Sequence, residues 1–476
     1  MTVNNKNSNS FYWNALEKFG NQGLQFIIGV ILARILSPND YGLVGILLVF
    51  IAISQIFVDS GFTKALIQKN DKSQDDLSTA FTFNLVIAIV LYAILWFSAP
   101  IIANFYNENA LINLLRTLSL ILIINAFFSI PNTILTIDLE FKKIAAINSI
   151  SVVISGSVSI YLAYKGYGVW SLVIQYLLRA FINLVLFSIK SKWTFKLYFS
   201  FTSFKVLFSF GSNLLLSSLL NVLIDKFSSL FIAKSISTKE LGFYTRGIQF
   251  PDIAIGTLGS VLDTVLLPTL AKTKDISILK EQMTKIIRLL SLFTLPIVVI
   301  LIILSKQIIL LLLTDKWLPV VPIMQLFCIS RFFTNLISVN TNLLYVLNKA
   351  NLVLRQHYLK IIIRICLILI ALPYGIVYIA LAEAISAIIH LIINTYYPGK
   401  LISLGTKTQF KIISPFIIIG LIMYVALAYV NLLIDNNILN IISVTALGII
   451  LYVILLYFFR KSDFILAKTL ILNLKG

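Results

Sequence analysis

The sequence has few charged residues, and acids are only half as numerous as bases. Charged side chains make up 12% of the 476 residues, whereas soluble globular domains carry about 25%. Apolar residues make up 59%, and the mean hydropathy is +0.96. This composition excludes an ordinary soluble globular chain and predicts a membrane protein.

Cysteine and histidine are also scarce, with two of each, and Cys328, Cys366, His357 and His390 are isolated from one another. They predict no disulfide framework and no metal site. The motifs G-x-x-x-x-G-K-[ST], H-E-x-x-H and G-x-S-x-G are missing. We therefore expect a protein that is not an enzyme, has no cofactor, and draws any energy it uses from an ion gradient, the membrane potential or the substrate gradient.

Long apolar runs fill most of the chain. A membrane span needs about 20 mostly apolar residues, and by that measure the sequence predicts an all-α protein with about fourteen transmembrane helices. The first run starts at Phe11 and is too long for a cleavable signal peptide. The predicted spans are 12–33, 41–60, 79–99, 111–133, 144–164, 167–188, 207–232, 241–264, 285–305, 317–340, 358–372, 374–396, 411–430 and 438–459.

The positive charges give this map an orientation. With a cytoplasmic N-terminus, 25 of the 38 Lys and Arg residues fall in inside segments and 6 in outside loops. The positive-inside rule requires such an excess on the cytoplasmic face. The sequence thus predicts cytoplasmic termini, and a net charge of +19 that faces anionic lipid and needs no nucleic-acid partner.

Residues 17–66 are echoed without a gap by residues 217–266. Six predicted spans separate the copies, so the repeats should have the same orientation and superpose about an axis along the membrane normal. Such duplication is typical of transporters, whose substrate site lies where the repeats meet. We expect the matched turns Ser37–Gly42 and Ser237–Gly242 to meet on the outer side.

Polar side chains recur at helical spacing on four of the predicted spans. Asn, Ser and Gly within a span most often serve helix packing, but stripes of polar residues cannot face lipid without cost. The alternative is that they line a wet cavity. The stripes are Asn14, Glu17, Asn21 and Gln25; Ser217, Asn221, Asp225 and Ser228; Arg246, Gln249, Gly256, Ser260 and Asp263; and Arg331, Asn335 and Ser338.

Charged residues within the spans are harder to assign to packing. A charge near the bilayer centre costs at least about 2.5–3.5 kcal/mol. Lys18, Asp59 and Arg364 lie near span ends, so we expect their charged heads to reach the interface. Arg246, Arg331 and Asp225 are the best candidates for a cavity.

The run Ala33–Gly42, which reads ARILSPNDYG, resembles the polysaccharide-transporter branch of the multidrug/oligosaccharidyl-lipid/polysaccharide (MOP) exporter superfamily. These are the Wzx-type flippases of lipid-linked oligosaccharides. The resemblance implies a MATE-like fold with six-helix bundles at 1–200 and 201–400 and two additional helices at 401–476. Further matches are Asp59-Ser60-Gly61-Phe62, Ala65–Gln68, Leu241–Arg246, Leu267–Leu270 and Trp317-Leu318-Pro319.

The same resemblance implies a substrate and a location. The chain is similar to proteins that move undecaprenyl-pyrophosphate-linked repeat units of O-antigen, capsule or exopolysaccharide. They carry these units across a bacterial cytoplasmic membrane by alternating access. In that case Arg246 and Arg331 would hold phosphate through their forked donors. Asp225 and Glu17 would either balance the arginines or bind a coupling proton or sodium ion. The candidates for hydrogen bonds to sugar are Asn21, Gln25, Asn221 and Gln249.

Two other functions remain open on the sequence. A multidrug exporter of the same superfamily would share the fold, but cationic drugs call for a cavity dominated by acids. A polysaccharide polymerase or ligase would also have many spans and a basic inner face. It should carry a large outer loop with catalytic residues, and the predicted outer loops are short.

Overall fold

The computed structural model describes residues 20–69, 71–259, 270, 275–465 and 469. All regular secondary structure in these ranges is helical. The described chain separates into two compact units, the first ending at Gly242 and the second beginning at Phe243. The bundle boundaries expected at residues 200 and 400 remain predictions.

The first unit contains nine helices within its described residues, most of them long and apolar. The short helix α3 follows α2 after a left-handed turn at Ser60 and Gly61. The helices are α1 at 20–35, α2 Pro38–Asp59, α3 Phe62–Gln68, α4 Gln74–Tyr106, α5 Ala110–Leu118, α6 Leu120–Ile137, α7 Phe141–Tyr164, α8 Val169–Ser191 and α9 Phe201–Ser235.

Helix α10, Thr238–Pro251, crosses the boundary and continues into a π-helical turn at Asp252–Gly256. A single-turn 3₁₀ helix, Asp315–Trp317, precedes α12, and another, Leu372–Tyr374, follows α13. The other helices of the second unit are α11 Ile276–Leu312, α12 Val320–Val346, α13 Ala350–Ala371, α14 Ile376–Ile402, α15 Thr406–Leu433 and α16 Asn437–Phe459.

Local sequence explains where several helices begin. Ser37 caps α2 and forms a capping box with Asp40, and Pro38 occupies the first turn, where its missing N–H costs nothing. Ser73 and Asp76 form the same box at the start of α4. Asp275 caps α11 outside the spans, where hydrogen bonds from the Ser277 hydroxyl and backbone N–H lower the pKa of its carboxyl.

Eleven helical segments of the described chain are long and apolar enough to cross a membrane, and each coincides with a predicted span. The predicted total of fourteen is not confirmed. The predicted spans 12–33 and 241–264 extend beyond the described residues, and α9 is helical over the whole of the predicted span 207–232 without being counted among the eleven. Large apolar side chains such as Phe97, Ile101 and Leu432 are 77%, 71% and 79% exposed, as expected of surfaces that contact lipid.

An aromatic core fixes the end of the first unit where α3 meets α4. Phe62 and Phe81 are fully buried in a cluster that includes Trp193 and Leu207. The ring centroids of Phe81 and Trp193 lie 5.3 Å apart in an edge-to-face arrangement. This packing holds the α2–α3 corner rigidly against α4.

The matched turns meet inside the first unit, as the repeat predicted. A Cβ atom added to Gly42 would lie 1.8 Å from the carbonyl oxygen of Thr238, and one added to Gly242 would lie 1.8 Å from that of Pro38. Gly42 and Gly242 are 200 positions apart, and so are Pro38 and Thr238. The two contacts therefore join equivalent positions of the repeat. That the turns touch is confirmed; that they lie on the outer side, and that the repeats superpose, remain predictions.

Candidate functional site

Helix α10 and its π-helical turn pack closely on α12. A Cβ atom on Gly247 would lie 2.5 Å from the Ile323 side chain, so glycine permits the close approach of the helices. Further along the two helices, the side-chain amide of Asn335 donates to the backbone carbonyl of Ile255 at 3.0 Å. A π-helical turn adds one residue to the helix and often marks a functional site; here it holds Asp252 at its first position.

Arg246 lies on α10, three residues before Gln249. Its side chain is buried, with 8% exposed, and its Nη1 donates to Oε1 of Gln249. The spacing of three places both side chains on one face of the helix. The fork of an arginine guanidinium can bind two oxygens of one phosphate group.

Arg331 projects from α12 towards the same helix. Its Nε donates to Oδ1 of Asp252 in an ion pair, and its guanidinium carbon lies 5.6 Å from the ring centroid of Phe327. The side chains of Arg331 and Asp252 are 27% and 42% exposed. Since this pair is only partly buried, a ligand that competes for the arginine can reach it.

The structure therefore places Arg246 and Gln249 on α10 and Arg331 on α12, two helices that pack on each other in the second unit. The other described candidates lie in the first unit. Asn21 is buried and accepts a hydrogen bond from Ser149 at 3.3 Å, which is the helix-packing use of asparagine. Glu17 lies outside the described residues. The remaining three, Gln25 on α1 and Asn221 and Asp225 on α9, are exposed.

Sequence reasoning did not select Asp252 as a site residue, although a signal was present. Asp252 continues the series 246 and 249 at a spacing of three within the predicted span 241–264. Arg364, which the sequence places near a span end, pairs with Glu383 of α14, with 2.9 Å between Nη2 and Oε1. The sequence did not predict this partner.

Among the described residues, no group of three His, Cys, Asp and Glu side chains is arranged to hold a metal ion. Nε2 of His390 donates a hydrogen bond at 2.9 Å to the backbone carbonyl of Lys360. A carbonyl oxygen accepts only, so the imidazole nitrogen is the donor there. This histidine thus serves to join α13 to α14.

The fold and these arginines define an α-helical membrane protein with many spans and a polar site that contains arginine side chains. The chain belongs to the family of polysaccharide biosynthesis proteins, whose sequence model matches residues 31–322. That match includes the ARILSPNDYG run and the arginine of α10. The predicted family resemblance is confirmed.

Two curated relatives illustrate the family. The teichuronic acid biosynthesis protein TuaB of Bacillus subtilis is 26% identical over 370 residues, which cover 77% of each chain. The succinoglycan biosynthesis transport protein ExoT of Rhizobium meliloti is 27% identical over 269 residues, 56% of this chain and 54% of that one.

Solved structures support the MATE-like fold that the resemblance implied. The inward closed conformation of the lipid II flippase MurJ superposes with a TM-score of 0.74 at 18% identity, covering 94% of this chain and 99% of that one. An inward-facing MATE family transporter of the MOP superfamily superposes with a TM-score of 0.62 at 14% identity, covering 81% and 96%. The predicted fold class is confirmed.

Proposed function

We propose that this protein translocates lipid-linked oligosaccharide repeat units across the bacterial cytoplasmic membrane. One observation carries the proposal: a member of a polysaccharide biosynthesis family is built almost entirely of helices that can span a membrane. The step that such a chain can supply to polysaccharide assembly is passage of the intermediate through the bilayer. The words transport and flippase in the names of ExoT and MurJ agree with that step.

The chemistry of the substrate sets what the site must offer. A sugar head cannot enter hydrocarbon without losing its hydrogen bonds with water, and a polyprenyl-pyrophosphate carrier adds negative charge. Arg246 and Arg331 supply matching positive charge, and Gln249 supplies a neutral carboxamide beside Arg246. The lipid tail stays in the bilayer throughout, so only the head needs a polar route.

Asp252 compensates the charge of one of the two arginines. The carboxylate neutralises Arg331, and a pyrophosphate that binds this guanidinium displaces Asp252, whose side chain is 42% exposed and can be hydrated. Exchange of one anionic partner for another keeps the Arg331 guanidinium paired inside the membrane. Asp225 and Glu17 stay candidates for the coupling ion, H⁺ or Na⁺.

Replacement of Arg246 tests the phosphate role. Hydrogen bonds to charged groups contribute about 1.5–3 kcal/mol, so Arg246→Ala should slow delivery of repeat units about tenfold or more. Arg246→Lys keeps the charge but loses the fork and should fall between Arg246→Ala and wild type. The measurement is the amount of repeat unit reaching the outer leaflet, in cells lacking their own flippase and at matched protein level.

Arg355→Ala is the matched control, because Arg355 is an exposed arginine on α13. It should leave delivery unchanged. Full delivery by Arg246→Ala at normal protein level would exclude the phosphate role of Arg246.

The orientation of the chain is a separate proposal, based on the charge distribution. In a Cys366→Ser background, a cysteine at Asp435 between α15 and α16 should react with an impermeant maleimide added outside intact cells. A cysteine at Asp71, in the segment before α4, should react only after the membrane is permeabilised. Both residues are exposed. The reverse pattern of labelling would show that the chain has the opposite orientation in the membrane.

A further inference from the structure

A cavity of about 570 Å³, lined by both polar and apolar side chains, lies within the first unit, apart from the arginines of α10 and α12. Side chains of α2, α3, α4, α6 and α9 line it. Its volume falls in the range of roughly 300–1,000 Å³ that is typical of sites for small molecules. None of its polar residues was among the predicted site residues.

Four carboxamide side chains, those of Gln55, Asn84, Asn125 and Asn132, are among the polar groups that line this cavity. Asn125 Nδ2 donates to Gln55 Oε1 at 2.8 Å, which leaves Nε2 of Gln55 as a donor and Oδ1 of Asn125 as an acceptor for a ligand. Asn132 lies two turns along α6 from Asn125, and its carboxamide makes no hydrogen bond to any described residue. The cavity thus presents donors and acceptors side by side.

The charges at the cavity balance each other. Asp59 and Lys64 both line it, and Asp59 accepts a hydrogen bond from the Thr63 hydroxyl at 2.6 Å. One carboxylate and one ammonium do not favour a ligand of either sign. They suit an uncharged ligand that can both donate and accept hydrogen bonds.

An aromatic ring completes the lining. Phe128 lies on the same face of α6 as Asn125 and Asn132, and it stacks on Phe187 with 5.7 Å between ring centroids and 12° between planes. The stacked ring is held rigidly. Apolar C–H faces pack on aromatic rings, while neighbouring hydroxyls bond to carboxamides; a pyranose sugar has both features.

The wall from α9 is fixed to the α2–α3 corner by two glycines. A Cβ atom on Gly61 would lie 2.7 Å from the carbonyl oxygen of Gly211, and one on Gly211 would lie 2.5 Å from that of Ser60. Gly61 also has φ = +74°, which favours glycine. This contact keeps the cavity at a defined size.

We propose that this cavity binds uncharged pyranose rings of the translocated oligosaccharide. The assignment rests on the proposed function, since it supplies a sugar subsite for the same substrate. Gln55, Asn125 and Asn132 bind vicinal hydroxyls, and Phe128 packs against the C–H face of the ring. The pyrophosphate is bound elsewhere, by the arginines of the second unit.

The test uses the purified full chain in lipid nanodiscs and the methyl glycosides of neutral hexoses, N-acetylhexosamines and hexuronic acids as probes. Binding is measured by saturation-transfer difference NMR. Neutral glycosides should bind to wild type, and Asn132→Leu should weaken them about tenfold, because hydrogen-bond partners are lost. Ala52→Leu fills the cavity without removing an amide and should weaken binding as well. Asn113→Leu, the same exchange at an exposed site on α5, should not.

The outcomes separate the sugar site from the proposed function. Arg246→Ala should retain glycoside binding while it loses delivery of repeat units, whereas Asn132→Leu should lose both. Unchanged binding in both Asn132→Leu and Ala52→Leu would overturn the sugar site, even if wild type still delivered repeat units. Preference for hexuronic acids, or no glycoside binding to wild type, would overturn it too. Glycoside binding without delivery by wild type would instead contradict translocation.

Discussion

Glu383→Ala should destabilise the protein by about 3–5 kcal/mol, which is the cost of breaking a buried ion pair by removal of one partner. Arg364 Nε and Nη2 lie 3.2 Å and 2.9 Å from Oε1 of Glu383, and the two side chains are 19% and 6% exposed. Without the carboxylate, a guanidinium remains between α13 and α14 in surroundings that solvate it poorly. The measurement is equilibrium unfolding of the purified protein in mixed micelles.

The double variant Arg364→Leu/Glu383→Leu should recover most of this loss, because an apolar pair leaves no buried charge. The pair Lys143–Glu140 provides a matched control. Its Nζ and Oε1 lie 3.1 Å apart, but the side chains are 47% and 42% exposed. Glu140→Ala should cost no more than about 1 kcal/mol. An equal cost for Glu383→Ala and Glu140→Ala would show that the inner pair is well solvated.

Gly42→Ala and Gly242→Ala should each destabilise the protein by about 3 kcal/mol, the upper end of the range of about 1–3 kcal/mol for overpacking. Each added methyl group would lie 1.8 Å from a carbonyl oxygen of the opposite turn. Backbone atoms cannot rotate away as a flexible side chain can, so the turns must separate. The usual gain from replacing a helical glycine with alanine, about 1 kcal/mol, is too small to offset this. The shift in unfolding midpoint measures the cost.

The two glycine substitutions should be less than additive. Both methyl groups separate the same pair of turns, so the first separation makes room for the second. Gly23→Ala is the control, because a Cβ atom there meets nothing within 4 Å, and it should be neutral or slightly stabilising. Additive costs for the Gly42→Ala/Gly242→Ala variant would mean that the two contacts are independent.

The sequence was enough to predict a membrane protein, eleven of its spans and the start of several helices. Each of these features depends on residues that are close together in the sequence. Apolar length sets a span, and the Ser37 and Asp40 capping box lies within four positions. The contact between the repeated turns could also be predicted, since the same ten-residue pattern occurs twice. Arg246 and Gln249 could be paired because a helix repeats every 3.6 residues.

Tertiary structure decided which distant side chains meet. Arg331 pairs with Asp252 across 79 positions, and Asn125 with Gln55 across 70. A sequence gives the periodicity of a helix but not its rotation about its own axis, and the π-helical turn after Pro251 changes that rotation further. The partner of Arg364 could not be predicted for the same reason: its position near a span end was visible in the sequence, but its pairing with Glu383 on the next helix was not. Charge pairing and the sugar-sized cavity both depend on how the helices pack.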